Sequence, residues 1–243
     1  MCKRFLFSLC ASLFLLGSPA RSQFWEKKEY PKWDQSECSR ILNDSPWARQ
    51  YSVSTVEIRP LQTAPDDDAR EARPQIAYVA QFRSALPVRQ ALVRMGQLAA
   101  KYDEKSADER AKIDQRAAEF LDRKFDDSIV VHVSANSNVV AYQRQLVTYW
   151  RSRGPIELST TAYLITQDGK KIPPLRVQVG EAGSLGFQLV FPRQVDGRPV
   201  LDASNKKSIA IEFLHPDIGG LGEARVLLEF KPNKMLYRGN LAY

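Results

Sequence analysis

Leu175-Arg176-Val177-Gln178-Val179 is the first of four C-terminal stretches that place an apolar side chain at every second position. The others are Phe187-Leu189-Phe191, Ile209-Ile211-Phe213 and Val226-Leu228-Phe230. A period of two sends alternate side chains to opposite faces of a strand, so each stretch predicts a strand with one buried face and one wet face. The breaks between them are turn chemistry: Asp168-Gly169, Pro173-Pro174, Gly180 to Gly186, Asp196-Gly197 and Gly219-Gly220 with Gly222. Strands joined only by turns pair antiparallel, because a parallel return needs a long crossover. The C-terminal half therefore predicts an antiparallel meander or a β-sandwich, preceded by a further strand near Leu158 to Thr166.

Upstream the period changes. Ile76, Tyr78, Ala80 and Phe82 alternate within Gln75 to Arg83, a strand, and Ile129, Val131 and Val133 do so within Ser128 to Ser134, with His132 facing the other way. Between them, Val88, Ala91, Leu92, Met95, Leu98 and Ala99 recur at helical spacing from Pro87 to Tyr102. A second helix opens on the capping box Ser106-Ala107-Asp108-Glu109 and carries Ile113, Ala117, Phe120 and Leu121, so the pair reads as a helical hairpin. A third helix is predicted over Asn138 to Arg151, with Arg151 to Pro155 as a turn after it. The class is α+β, with the helices packed on one side of antiparallel sheet. No Gly/Ser- or Pro-rich linker divides the chain, so residues 23–243 are expected to form a single unit, the possible subdivision being 23–154 and 155–243.

Near the N-terminus, Phe24, Trp25, Tyr30, Trp33, Trp47 and Tyr51 crowd around a short helical pattern. Asp34 or Ser36 can cap its start, Ile41 and Leu42 give its apolar end, and Asn43 and Pro46 stop it. Tyr51 to Arg59 reads as a strand closed by Pro60. Leu61 to Pro74 is a solvated loop. Its Asp66-Asp67-Asp68 lacks the alternate ligand spacing and the glycine of a calcium loop.

The first 22 residues have the layout of a secretory signal peptide: Lys3 and Arg4, an apolar run from Phe5 to Leu16, Gly17-Ser18-Pro19, then small Ala20 and Ser22. Twelve apolar residues fall short of the roughly 20 that span a bilayer as a helix, so cleavage after Ser22 or Ala20 is expected. Bulky Leu9 before Cys10 argues against lipid attachment. The expected destination is the periplasm or the exterior. Loss of Lys3, Arg4 and Arg21 lowers the charge from 35 basic against 28 acidic residues to 32 against 28, with both signs interspersed, which disfavours a nucleic-acid partner. Cys2 and Cys10 leave with the leader, so Cys38 has no internal disulfide partner and is expected to be a buried thiol.

No chemical motif is complete. Ala182-Gly183-Ser184-Leu185-Gly186 lacks the strand-before, helix-after context of a hydrolase elbow and reads as a turn. The two histidines, His132 and His215, are far apart in sequence. They and Asp217, in His215-Pro216-Asp217, are weak catalytic candidates, the simpler reading of His215 being an exposed turn residue. Asp126-Asp127 lacks a fixed carboxylate partner, metal spacings are absent, and neither a phosphate loop nor a dinucleotide fingerprint occurs. No cofactor is expected. Trp25, Trp33 and Trp47 are weak candidates for a platform that binds a glycan or another envelope protein, against core packing.

Three segments, Trp33 to Ala48 with its Ile41-Leu42-Asn43-Asp44-Ser45-Pro46-Trp47-Ala48, Ser84 to Ala91 and Met235 to Leu241, resemble recurring signatures of a family of uncharacterised secreted proteins from soil bacteria. The resemblance spans nearly the whole chain after the leader. It implies single-module organisation and an envelope setting and carries no activity. The expected function is a non-enzymatic binding or scaffolding module of the envelope; the alternative is a secreted hydrolase using His132 or His215 with loop carboxylates.

Overall fold

A computed structural model describes residues 23–54, 74–180 and 186–243. Five α-helices are described: α1 Phe24–Lys27, α2 Gln35–Asn43, α3 Leu86–Ala99, α4 Ala107–Leu121 and α5 Val140–Thr161. The strands are β1 Ala48–Ser54, β2 Gln75–Phe82, β3 Ser128–Ser137, β4 Tyr163–Ile165, β5 Lys171–Ile172, β6 Arg176–Val179 and β7 Gly186–Pro192. The small hairpin β8 Gln194–Val195 and β9 Arg198–Pro199 comes next, followed by β10 Ile209–His215, β11 Ala224–Phe230, and the closing hairpin β12 Leu236–Tyr237 and β13 Asn240–Leu241. The class is α+β with antiparallel sheets, as the alternation implied.

The main sheet has the order β1-β2-β3-β7-β6 and the second the order β11-β10-β4-β5, with every pairing antiparallel. Their apolar faces meet. Tyr78 of β2 and Phe187 of β7 contact Phe213 of β10 edge to face at 5.0 and 5.3 Å, and Phe82 meets Phe230 of β11 at 4.8 Å. Aromatic pairs in this geometry add to what their buried area already contributes. The sandwich is not confined to the C-terminal half, since β1, β2 and β3 form one sheet with β6 and β7. A boundary at 154–155 would cut through α5 and divide that sheet's strands between two parts.

The largest correction concerns α5. Residues 158–161, expected as strand, are helical, and the Gly154-Pro155 turn lies inside the helix. Leu146, Trp150, Gly154 and Leu158, each four residues apart, form one buried stripe, and that packing outweighs local turn propensity. Trp150 contacts Phe187 at 5.0 Å and Phe213 at 6.4 Å, so the helix touches both sheets. Gly154 makes the close approach: a Cβ there would lie 3.1 Å from Val179 Cγ2 and 3.3 Å from Trp150 Cε3. Pro155 has no N–H to donate to the Arg151 carbonyl, but both residues are on the exposed side, where water can donate instead.

At the other end, Asp34 caps α2 in a capping box with Glu37, and Ser106 and Glu109 cap α4 as anticipated. Arg89 of α3 closes the far end of α4, its Nη1 donating to the carbonyls of Leu121 at 2.6 Å and Arg123 at 3.1 Å. The part of the expected Tyr51 to Arg59 strand beyond Ser54, the 61–73 portion of the predicted loop, the leader and residues 181–185 lie outside the described residues.

Candidate functional site

The three tryptophans proposed as a surface platform pack inward. Trp33 and Trp47 are wholly buried and Trp25 nearly so. Trp25 and Trp47 stack edge to face at 5.5 Å, Trp47 reaches Tyr237 at 6.5 Å, and Trp47 Nε1 donates to the Ala242 carbonyl at 2.8 Å. Trp33 Nε1 donates to the Lys28 carbonyl at 2.9 Å. These rings tie the N-terminal helices to the closing hairpin and present no exposed platform. Cys38 is buried among them, its thiol pushed up to about 11, mainly by burial, and it is free of disulfide.

His215 is also inside, which corrects its reading as an exposed turn residue. It ends the inner face of β10, wholly buried, with the Tyr78 hydroxyl 2.7 Å from its Nδ1. Burial lowers its pKa to about 4, against a smaller opposing pull from Asp217. Asp217 is exposed, and its Oδ1 accepts from the Gly222 N–H at 2.9 Å, closing the glycine-rich turn.

His132 faces away from the core, on the outer face of β3, and is half-buried. Burial, followed by the charge of Arg83, lowers its pKa to about 4. Gly186 stands diagonally across on β7. A Cβ there would sit 2.9 Å from His132 Cε1 and 2.7 Å from the Val133 carbonyl, so a side chain and the present ring position are incompatible. Gln81 lies directly opposite His132 on β2 and Gln188 directly opposite on β7.

Among the described residues, neither histidine has a serine or carboxylate within hydrogen-bond reach, so the hydrolase geometry is not assembled there. Asp126 and Asp127 lie in the segment before β3, beyond the end of α4. Among the described residues no group of three or more His, Cys, Asp or Glu is arranged to hold a metal, and no helix is long and apolar enough to cross a membrane. A cleft of about 550 Å³ beside β8 and β9 is lined by Thr166, Asp168, Lys170, Asp196 and Arg198 among others. Its charges are partly matched internally, as Lys170 pairs with Asp196 at 3.4 Å.

A sheet edge is open. Among the described residues β6 pairs only with β7. Gly180 N–H donates to the Gly186 carbonyl at 3.0 Å, so by antiparallel alternation Gln178 and Arg176 bond across to β7, while Val177 and Val179 turn their backbone groups to the free edge. Leu175, expected to be buried with Val177 and Val179, instead precedes the strand and is 68% exposed. Ile156 is also 74% exposed, on the side of α5 away from the Gly154 contact with Val179. Neither edge strand stands clear of other elements: β6 packs against α5 through Val179 and Gly154, and β1 at the opposite edge lies against β11, where Arg49 Nε donates to the Glu229 carbonyl at 3.2 Å.

No protein-family model, no curated protein and no solved structure matches this chain.

Proposed function

We propose that this chain is an exported, non-enzymatic binding module of the bacterial envelope that takes up an extended segment of a partner polypeptide along the free edge of β6. The observation carrying this reading is that unpaired edge: outward-turned backbone groups at Val177 and Val179, with apolar Leu175 exposed just before them. An added strand gains main-chain hydrogen bonds from such an edge and side-chain contacts from its flanks. Solvent-facing edges are ordinarily blunted by charge or cover, and here Arg176 is the strand's one charged residue. The leader-like first 22 residues and the resemblance to secreted soil-bacterial proteins support the envelope setting.

Val177→Pro tests the reading, because it deletes an outward N–H while leaving the β7 ladder intact. A photo-crosslinking residue at Leu175 in cells is expected to capture a discrete envelope protein, and Val177→Pro to abolish the adduct. The same probe at Leu227, on the second sheet, should give none. Equal capture at Leu175 and Leu227, or capture insensitive to Val177→Pro, would contradict strand addition.

A further inference from the structure

The outer face of the main sheet holds three polar groups left unmatched among the described residues. Gln81 is 7% exposed; its Nε2 donates to the Leu42 carbonyl at 2.5 Å, which fixes the amide, while its Oε1 is buried with no partner among the described residues. His132, directly across from it, buries Nδ1 with no partner among the described residues. Arg83 extends the same face, its N–H continuing the ladder to the Val130 carbonyl at 2.7 Å, which sets it diagonal to His132. Its Nε is buried without a partner, and among the described residues its guanidinium makes no hydrogen bond or ion pair.

An unmet buried polar atom carries a desolvation penalty and a half-buried guanidinium without a counter-ion a larger one, so three together on one face call for a shared partner. Burial has already pushed Arg83 down to about 10, the cost of its unmatched charge expressed in its proton affinity. The surrounding chemistry sets the partner's sign. The outer-facing positions of β1, β2, β3, β7 and β6 contain no Asp or Glu, whereas Arg83, Arg176 and His132 are all there.

The geometry points to a binding site for a small oxyanion that also carries a hydroxyl, formed by Arg83, His132 and Gln81. The anion's oxygens accept from Arg83 Nε–H and from His132 Nδ1 in the tautomer that carries its proton there. The ligand's hydroxyl donates to Gln81 Oε1, an acceptor that a fully deprotonated oxyanion cannot satisfy. Hydrogen phosphate and a small hydroxy-carboxylate share this chemistry. The site is independent of the β6 edge, because Gln81, Arg83 and His132 belong to the middle of the sheet.

The test uses the full chain with the His132 ring signals followed by NMR at neutral pH and constant ionic strength. Inorganic phosphate, glycolate and sulfate are the three probes. Saturable shifts of His132 with phosphate or glycolate are expected, whichever of the two binds identifying the source, and sulfate should bind at least tenfold more weakly. Arg83→Gln should weaken binding at least tenfold, with Arg83→Lys as a second variant should the first fold poorly. Arg176→Gln, on the same face but at its edge, should leave binding unchanged. No saturable shift with phosphate or glycolate, sulfate binding as well as they do, or undiminished binding in a folded Arg83 variant would overturn the proposal.

Discussion

The two histidines sit on opposite faces of one sandwich and experience the same depressed proton affinity for different structural ends. His215 closes the interior: wholly buried, bonded to Tyr78, and surrounded by the rings that join the two sheets. His132 lies on the outer face, half-buried, beside an arginine that has no bonding partner among the described residues. Both fall to about 4 through burial. A shifted histidine is therefore not in itself a functional marker: among the described residues His215 has Nδ1 bonded to Tyr78 and Nε2 buried without a partner, and what separates the two is that an unpaired charge, Arg83, stands beside His132.

The largest effect that can break the comparison is in the interior. Phe213 touches Tyr78, Trp150 and Phe187, so Phe213→Ala should cost about 3–5 kcal/mol in urea unfolding. A loss below about 1 kcal/mol would mean that the sheets do not meet through these rings. Next comes Tyr78→Phe, which strips the partner from a buried imidazole at a cost of about 1–3 kcal/mol, whereas the pair Tyr78→Phe with His215→Phe should recover part of it by removing both polar groups. Additive losses in that double variant would show that the bond contributes nothing.

Acid sharpens the contrast further. Because the folded pKa of His215 is about 4 and the unfolded value about 6.5, the unfolded chain takes up the proton first, and stability must fall as the pH drops from about 6.5 toward 4. Denaturant midpoints across that window should show the fall, shallower in the Tyr78→Phe, His215→Phe double variant. The smallest effect belongs outside: Arg83→Gln, which removes an unmatched charge, should change ligand-free stability by no more than about 0.5 kcal/mol or raise it. A loss of several kcal/mol would place Arg83 in the structural core of the fold.

Much of the fold was legible because it rests on periods. Ile76 to Phe82, Ile129 to Val133 and the last three C-terminal triplets bury the faces their alternation indicated, and Ser106 with Glu109 capped the helix they marked. Legibility failed where tertiary contact decides. Gly154-Pro155 has the chemistry of a turn, yet the stripe from Leu146 to Leu158 carries the helix through it. Leu175 completes an apolar triplet in sequence, yet the strand begins one residue later and leaves it outside.

The outer-face groups were hidden for another reason. The alternation that buries Tyr78, Ala80 and Phe82 sends Gln81 and Arg83 the other way, a position in which polar residues draw no notice in a sequence. Gly186 looked like part of a turn, and only its distance from His132 shows what it leaves room for. A strand's wet face becomes informative once the partners of its polar atoms can be counted.

Carbethoxylation of the folded chain, mapped by mass spectrometry, tests this division between a closed interior and an open face most directly. His132 should be modified in the native state while His215 stays protected until the protein is unfolded. Modification of His215 at the same rate as His132, under conditions where the protein remains folded, would contradict it.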